Sequence, residues 1–447
     1  MLSRLNQAAI GSRLNPQSSK PKSPPWFEGW YTRVIGSEHS FGLVTGYFPE
    51  QKPKHPAFYT GLLFNEDSKL GKLTTFESYS DSSEGISISR GPKAEPNLLG
   101  ATEAPDFCVE DAVGGVMKVA AGPDGSLLVQ CNVQGAQLRI ESLPGWQDTP
   151  WSEEGGSPQG LLHLLPGVGL HWYVHSTKTR VRYELTLPAE HGSSSSNSSG
   201  AGSDDSSAAE AGDATENSNG GSSSSSSSSS SNGSSSSSSS VRVVRGEGWA
   251  HVEKNWGGSF PRSFVWSQGC STKPDSSSAA GFDAELQAQF CLSGGVLPTL
   301  NMDKLPVPLP NALLMGYRSK QRTWHFKPQS PTLFSTNIQP DQGLIIVTAR
   351  QISTTLVPRT LILKIQANPK TFSKVGGPTR GGFVPHSVES YSAKATAECY
   401  EWGKLVEVTS FDRSALEFGG SYACDLAAGL GDESLSEGLV CEPQWEE

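Results

Sequence analysis

The chain has 447 residues, a formal net charge of −10 and a pI near 5.5. It has no run of Lys or Arg, so it lacks the positive surface that a nucleic acid backbone requires, and we expect no nucleic acid partner. Its 48 Gly and 30 Pro residues separate short β-branched or aromatic segments. This pattern predicts an all-β protein with enough residues for two cores.

The N-terminal segment, residues 1–23, contains no Asp or Glu but carries Arg4, Arg13, Lys20 and Lys22 among Ser, Asn and Ala. This composition is typical of an organelle transit peptide, and a disordered basic tail fits it equally. No segment of the chain approaches the ~18 apolar residues that a membrane-spanning helix needs.

The first motif combines an acid with aromatic residues. Strand periodicity places Glu28 between Trp26 and Trp30 on one face, with Phe27 and Tyr31 on the other. An enclosed carboxyl flanked by indoles is poorly solvated, so we expect a raised pKa, as a proton donor at neutral pH requires. The alternative is a core strand on which Glu28 pairs with a nearby cation.

Short strand candidates continue through most of the chain, and their spacing favours barrels or sandwiches. Residues 191–240 consist almost entirely of Ser, Gly, Asn and a few acids. Such a composition cannot bury enough apolar surface to fold, so it predicts a disordered insert. Loop closure entropy grows only logarithmically with length, so this insert could replace a hairpin turn. The predicted segments are a basic N-terminus (1–23), an N-terminal β-barrel (24–190), the insert (191–240), a C-terminal β-barrel (241–425) and a loosely ordered acidic tail (426–447).

The second motif, residues 247–262, is the densest group of ionisable and aromatic side chains. Strand periodicity places four of its residues on one face: Trp249, His251, Glu253 and Asn255. The opposite face carries Ala250, Val252, Lys254 and Trp256. A shift of one residue would exchange the two faces, so the pattern leaves open which of them lines an interior.

Seven cysteines are scattered without a C-x-x-C pair, so we expect reduced, mostly buried thiols and neither a disulfide framework nor a zinc site. His171 and His175 share one strand face, but two His residues without a third ligand are more typical of a polar core than of a metal site. We therefore predict no metal. Phosphate-loop, dinucleotide-binding, nucleophile-elbow and H-E-x-x-H motifs do not occur.

Three segments together resemble the tocopherol cyclase family: Phe27 to Tyr31, Glu253 to Gly258 with Phe260, Pro261 and Trp266 behind it, and Ala397 to Tyr400. The resemblance spans roughly Pro24 to Tyr422 apart from the Ser-rich tract. It implies a calycin-type architecture of two tandem lipocalin-like antiparallel β-barrels. The chain departs from the family pattern at Ser259, at Phe264 and at Glu401-Trp402.

The resemblance implies an enzyme that closes the chromanol ring of a prenylated benzoquinol. An acid protonates the prenyl double bond, and the ring hydroxyl attacks the cation. The acid would be Glu253 or else Glu28, and Asn255 or His251 would orient the phenol. Aromatic faces would stabilise the cation. The substrate-binding residues implied in this way are Trp30, Tyr31, Trp249, Lys254, Trp256, Phe260 and Trp266.

Two other functions fit the same residues. A hydratase of an isoprenoid double bond would share the protonation and then admit water, and a non-catalytic carrier would only bind a lipophilic quinol. We expect no cofactor and no protein partner. The resemblance further implies a plastid protein, on plastoglobules or free, with a cytoplasmic location as the alternative. A lipophilic substrate implies peripheral association with a membrane or lipid droplet.

Overall fold

A computed structural model of the chain describes residues 14, 16, 27–48, 55–66, 71–81, 85–91, 106–112, 114–121, 126–143, 170–188, 241–258, 260–273, 285–296, 300–302, 305–307, 312–327, 332–379 and 381–441. The predicted insert at 191–240 and nearly all of the N-terminal segment 1–23 lie outside these residues. Residues 1–187 and 243–447 form one compact unit, to which both sheets described below belong.

The first sheet contains eleven described strands in the order β4-β3-β2-β1-β11-β10-β9-β8-β7-β6-β5. Its strands are β1 (Phe27–Gly36), β2 (His39–Tyr47), β3 (Phe58–Glu66), β4 (Thr74–Ser80), β5 (Ser87–Arg90), β6 (Asp106–Glu110), β7 (Val116–Ala121), β8 (Leu127–Val133), β9 (Ala136–Ser142), β10 (Leu170–Leu187) and β11 (Arg242–Gly257). Residues of β3 and β4 also contact β8, so the sheet curls around the apolar side chains on its inner face.

The second sheet has the order β17-β16-β13-β12-β23-β22-β20-β19-β18, and β21 pairs with β22. Its strands are β12 (Ser263–Lys273), β13 (Glu285–Val296), β16 (Ala312–Ser319), β17 (Thr323–Phe326), β18 (Thr332–Gln339), β19 (Leu344–Ile352), β20 (Pro358–Gln366), β21 (Ser373–Thr379), β22 (Gly382–Glu401) and β23 (Lys404–Gly420). A separate hairpin joins β14 (Leu300–Met302) to β15 (Leu305–Val307).

The prediction of an all-β protein with two antiparallel barrel sheets is confirmed. The strands β10 and β11, which flank the Ser-rich tract in the sequence, are neighbours in the first sheet, as the hairpin argument allows. The second sheet begins in the sequence only at Ser263. The range 241–425 assigned to the second barrel therefore includes a strand that belongs to the first sheet, because β11 pairs with β1.

The prediction of a loose tail from residue 426 is wrong for the residues up to 441. Helix α1 (Ser421–Leu430) follows β23 directly, and helix α2 (Glu433–Ser436) follows α1. Leu426, Ala427 and Leu435 are buried in the core of the second sheet, so tertiary packing orders a segment whose acidic, Gly-rich composition suggested otherwise.

The expectation that all cysteines are reduced is also wrong. Cys424 and Cys441 form a disulfide, with their Cα atoms 5.6 Å apart. The turn after α1 brings together two residues 17 positions apart, which a spacing count alone does not reveal. The remaining five cysteines are free, and four of them are buried: Cys131, Cys270, Cys291 and Cys399.

Candidate active site

Both faces of β11 are buried at residues 250–254, because this part of the strand lies between the core of the first sheet and the second sheet. Lys254 and Trp256 face the first core, where each is at most 3% exposed. His251 and Glu253 face the second sheet and are just as deeply buried. The sequence pattern left open which of the two faces lines an interior. In the structure both faces do, each with its own buried environment.

Glu28 lies on the same side as Lys254 and forms an ion pair with it. The Tyr47 hydroxyl donates a hydrogen bond to Glu28 Oε1 at 3.1 Å, and Lys254 Nζ lies 5.2 and 5.4 Å from the rings of Trp30 and Trp256. Cation–π contacts of this kind add to the ion pair. Glu28 is therefore a core carboxyl paired with a cation, which was the alternative to a proton donor in the sequence analysis. Trp26, its other predicted flank, lies outside the described residues.

A small cavity of about 80 Å³ lies between the two sheets. This volume is below the roughly 300–1,000 Å³ of typical small-molecule sites, so a ligand of that size requires the cavity walls to move apart. Most of its wall is aromatic or apolar, and three carboxyl groups also face it. It is lined by Phe27, Gly29, Trp30, Tyr31, Val44, Thr45, Gly46, Glu253, Asn255, Phe260, Phe264, Trp266, Ser293, Val375, Gly376, Gly377, Pro378, Phe383, Glu389 and Glu417.

Glu253 is held at the cavity wall by three side chains. His251 Nε2 lies 2.6 Å from Glu253 Oε2, and Trp266 Nε1 donates to the same oxygen at 3.2 Å. Asn255 Nδ2 donates to Glu253 Oε1 at 3.2 Å. The predicted association of an acid, an imidazole and an amide on one face of β11 is thus present, and Trp266 from β12 completes it. These three contacts fix the orientation of the Glu253 carboxyl at the cavity wall.

The second sheet contributes two further acids, Glu389 on β22 and Glu417 on β23. The two residues are direct partners in the antiparallel register, so their side chains stand next to each other on one face. Trp266 is the partner of Glu417 on its other side. The indole and the two carboxyls therefore form one row across the sheet, and all three line the cavity.

Burial shifts both of these acids toward the neutral form. Desolvation raises the pKa of Glu389 well above the usual range, and the charge of the neighbouring Glu417 raises it further. Desolvation likewise raises the pKa of Glu417 to about 7, with a further contribution from Glu253. Like-charged carboxyls in an enclosed site cannot all ionise easily, so protons remain on this pair near neutral pH.

Tyr31 connects the two sheets at this row. It is the β1 partner of Glu253, and its hydroxyl donates to Glu389 Oε1 at 2.7 Å. The Tyr31 and Trp266 rings meet edge to face at 4.9 Å between centroids. The Tyr391 hydroxyl lies 3.0 Å from the Tyr31 hydroxyl. A Cβ atom at position 42 would collide with the Tyr391 hydroxyl, so this position requires Gly. The carboxyl groups of Glu389 and Glu417 therefore lie beside the electron-rich rings of Tyr31 and Trp266.

The remaining predicted residues are divided between the cavity and the first core. Phe260 lines the cavity and stacks on Phe27 at 5.6 Å. Trp256 lies in the first core and stacks on His171 at 5.1 Å. Trp249 is half-buried on β11 and is not among the residues that line the cavity. Of the eleven predicted site residues, the cavity wall includes Glu253, Asn255, Tyr31, Phe260 and Trp266, and also Trp30, whose ring lies in the first core beside Lys254.

Sequence reasoning missed Glu389 and Glu417. Each is an acid within an apolar strand, in Val388-Glu389-Ser390-Tyr391 and in Leu416-Glu417-Phe418. This is the same signal that singled out Glu28, and it could have identified both residues. Their pairing could not have been read from the sequence, because it depends on the register between β22 and β23.

One group in the described part of the chain has the donor types of a metal site. The ligand atoms of His251, Glu253 and Cys291 lie within 4.8 Å of one another. Desolvation raises the pKa of the Cys291 thiol well above its usual range, so metal binding would first have to displace its proton. The Glu253 oxygens also already accept hydrogen bonds. The absence of a metal stays a prediction.

Within the described ranges, no helix has the length and apolar character needed to cross a membrane.

Comparisons with known proteins give remote likenesses. No family model and no curated protein sequence matches the chain. The crystal structure of CghA with Sch210972 aligns with 8% identity over 92% of this chain and 96% of that one, with a TM-score of 0.47. A putative AttH from Nitrosomonas europaea aligns with 11% identity, coverages of 91% and 98% and a TM-score of 0.40. Kievitone hydratase from Nectria haematococca has 8% identity, coverages of 92% and 95% and a TM-score of 0.33. All three TM-scores are below 0.5, so these likenesses carry no argument about function.

Proposed function

We propose that this protein is an enzyme that protonates an isoprenoid double bond, and specifically a tocopherol cyclase-like enzyme that closes the chromanol ring of a prenylated benzoquinol. One observation carries the proposal. Glu417 and Glu389 form a pair of carboxyls with raised pKa values at the wall of an aromatic cavity. A neutral acid beside an apolar pocket is the group that alkene protonation requires.

Glu417 is the proposed proton donor. Glu389 accepts hydrogen bonds from the hydroxyls of Tyr31 at 2.7 Å and Tyr391 at 3.4 Å, whereas Glu417 has a single side-chain hydrogen bond, with Ser387, and stands beside Trp266. The proton adds to the less substituted alkene carbon, and a tertiary cation forms. The Trp266 and Tyr31 rings stabilise this cation without trapping it, because they offer a π face rather than a nucleophile.

Glu253 changes its role in this proposal from donor to base. It lies on the opposite sheet, where its pairing with His251 orients it. The ring hydroxyl attacks the tertiary cation and forms the carbon–oxygen bond of the chromanol, while Glu253 with His251 takes the phenolic proton. The proton then returns to Glu417, so the product is an isomer of the substrate. No cofactor takes part in any of these steps.

The cavity contributes by orienting the substrate. Alkene and phenol belong to one molecule, so folding the prenyl chain into a reactive conformation removes much of the entropic barrier. Phe27, Phe260 and Phe264 form a continuous stack with centroid spacings of 5.6 and 4.7 Å, and they offer the prenyl tail an apolar surface. The carboxyls and Asn255 lie where the polar ring would bind.

The direct test is incubation of the purified protein with a dimethyl phytylbenzoquinol and its monomethyl analogue, followed by product mass. We expect an isomeric chromanol. A product heavier by one water would identify a hydratase instead, and saturable binding without turnover would identify a carrier.

Matched variants test the assignment of the donor. Glu417→Gln should abolish turnover while leaving substrate binding largely intact. Glu398→Gln, the same change on β22 at a residue that does not line the cavity, should leave turnover unchanged. If both quinols stay unchanged with wild-type protein, or if Glu417→Gln cyclises them at the normal rate, the proposal fails.

A further inference from the structure

Three hairpin turns meet at one end of the second sheet. They join β16 to β17 at residues 320–322, β19 to β20 at 353–357 and β22 to β23 at 402–403. The Trp402 N–H donates to the Pro358 carbonyl at 3.0 Å, so the last two turns are adjacent. Arg322 Nη1 donates to Glu407 at 2.6 Å and holds the first turn beside β23.

This end carries an exposed apolar surface, here called the hairpin patch. Leu356 and Trp402, each within a turn, are 74% and 67% exposed. The patch consists of Leu333, Ile352, Leu356, Trp402, Leu405 and Val408, which account for six of the eight large hydrophobic side chains that are exposed among the described residues. Exposed apolar side chains gathered in one region mark an interaction site, whereas scattered ones do not.

The backbone conformation makes these two residues unusual. Trp402 and Leu356 have φ angles of 53° and 62°, in the left-handed region that bulky residues avoid. In the Trp402-Gly403 turn, both central residues have positive φ, a geometry that favours Asn-Gly. The turn between β8 and β9 has the same geometry with the polar pair Gln134-Gly135. Folding alone does not explain an indole at such a position, and strained residues cluster at functional sites.

The charges around the patch have the opposite sign to those of the whole chain. Apart from the buried Arg318, residues 318–326, 350–360 and 398–408 contain five Lys or Arg and three Glu, an excess of two positive charges in a chain of net charge −10. Two of the acids pair with Arg322 and Arg359. Arg350 and Lys404 are exposed and form no ion pair with any described residue. An anionic partner therefore complements this end of the sheet.

We propose that the hairpin patch docks the protein on an anionic lipid bilayer. Trp402 and Leu356 enter the boundary between headgroups and acyl chains, and Arg350 and Lys404 contact the lipid phosphates. A bilayer fits better than a second copy of the chain, because two copies facing each other would bring like charges together. This inference does not depend on the proposed reaction, since docking is measured without substrate.

The test is flotation of the full-length protein with vesicles of equimolar phosphatidylcholine and phosphatidylglycerol, compared with vesicles of phosphatidylcholine alone. Wild-type protein should float with the anionic vesicles, and added salt should weaken the binding. Trp402→Asn and Leu356→Asn should each lower the vesicle partition coefficient about tenfold, as the loss of a buried large apolar side chain predicts.

The variants are chosen so that folding does not obscure the result. Asn is favoured at both left-handed positions, so thermal melting should show stability equal to or above that of wild type. Gln134→Asn makes the same change in the turn between β8 and β9 and should bind vesicles like wild type. The proposal is overturned if wild type does not float with anionic vesicles or if both variants float normally. Loss of a wild-type dimer in the variants, with no vesicle binding, would also overturn it in favour of self-association.

Discussion

Replacing Glu417 with Gln should make the protein more stable at alkaline pH. Desolvation raises the pKa of Glu417 from 4.5 to about 7. Between these pH values the folded state binds more protons than the unfolded chain, so the free energy of unfolding falls as the pH rises. A shift of this size corresponds to about 3 kcal/mol, which is lost by the time the pH exceeds 7.

Gln resembles the protonated acid in shape but does not titrate. We therefore expect Glu417→Gln to match wild type near the unfolded-state pKa and to exceed its stability by about 3 kcal/mol above pH 7. Urea unfolding over this pH range measures both curves, and Glu398→Gln is the control that should follow wild type. Wild-type turnover should fall over the same range, because the proton donor becomes ionised.

One result would refute the reasoning directly. If the stability of wild type and of Glu417→Gln changes in parallel with pH, Glu417 does not carry the proton that distinguishes the folded state. Turnover that rises through pH 7 in the wild-type protein would contradict its role as an acid, even if the stability data agreed.

Three other predictions follow from single contacts. Lys254→Met should cost about 3–5 kcal/mol in urea unfolding, because it leaves Glu28 buried without its cation, and adding Glu28→Gln should recover most of this loss. Cys424→Ser opens the disulfide to Cys441, with a separation of 17 residues, and should lower the unfolding free energy by about 3 kcal/mol. Trp266→Phe should lower kcat less than Trp266→Leu, since only the Phe variant keeps a ring face toward the cation.

The sequence alone predicted the all-β class, because strand length and alternation are local properties. Periodicity also placed His251, Glu253 and Asn255 on one face of a strand, where the structure has them hydrogen-bonded together. The helix at Ser421–Leu430 was not predicted, because it is stabilised by burial against the second sheet and not by a local sequence pattern.

Only the tertiary structure decided which acids share the cavity. Glu28 and Glu253 lie on neighbouring strands, yet they point to opposite sides of the first sheet. Glu389 and Glu417 are 28 positions apart in the sequence and become neighbours through the β22–β23 register. A raised pKa depends on which groups surround a carboxyl in space. Periodicity along one strand gives the direction of a side chain, and the packing of two sheets determines what that side chain meets.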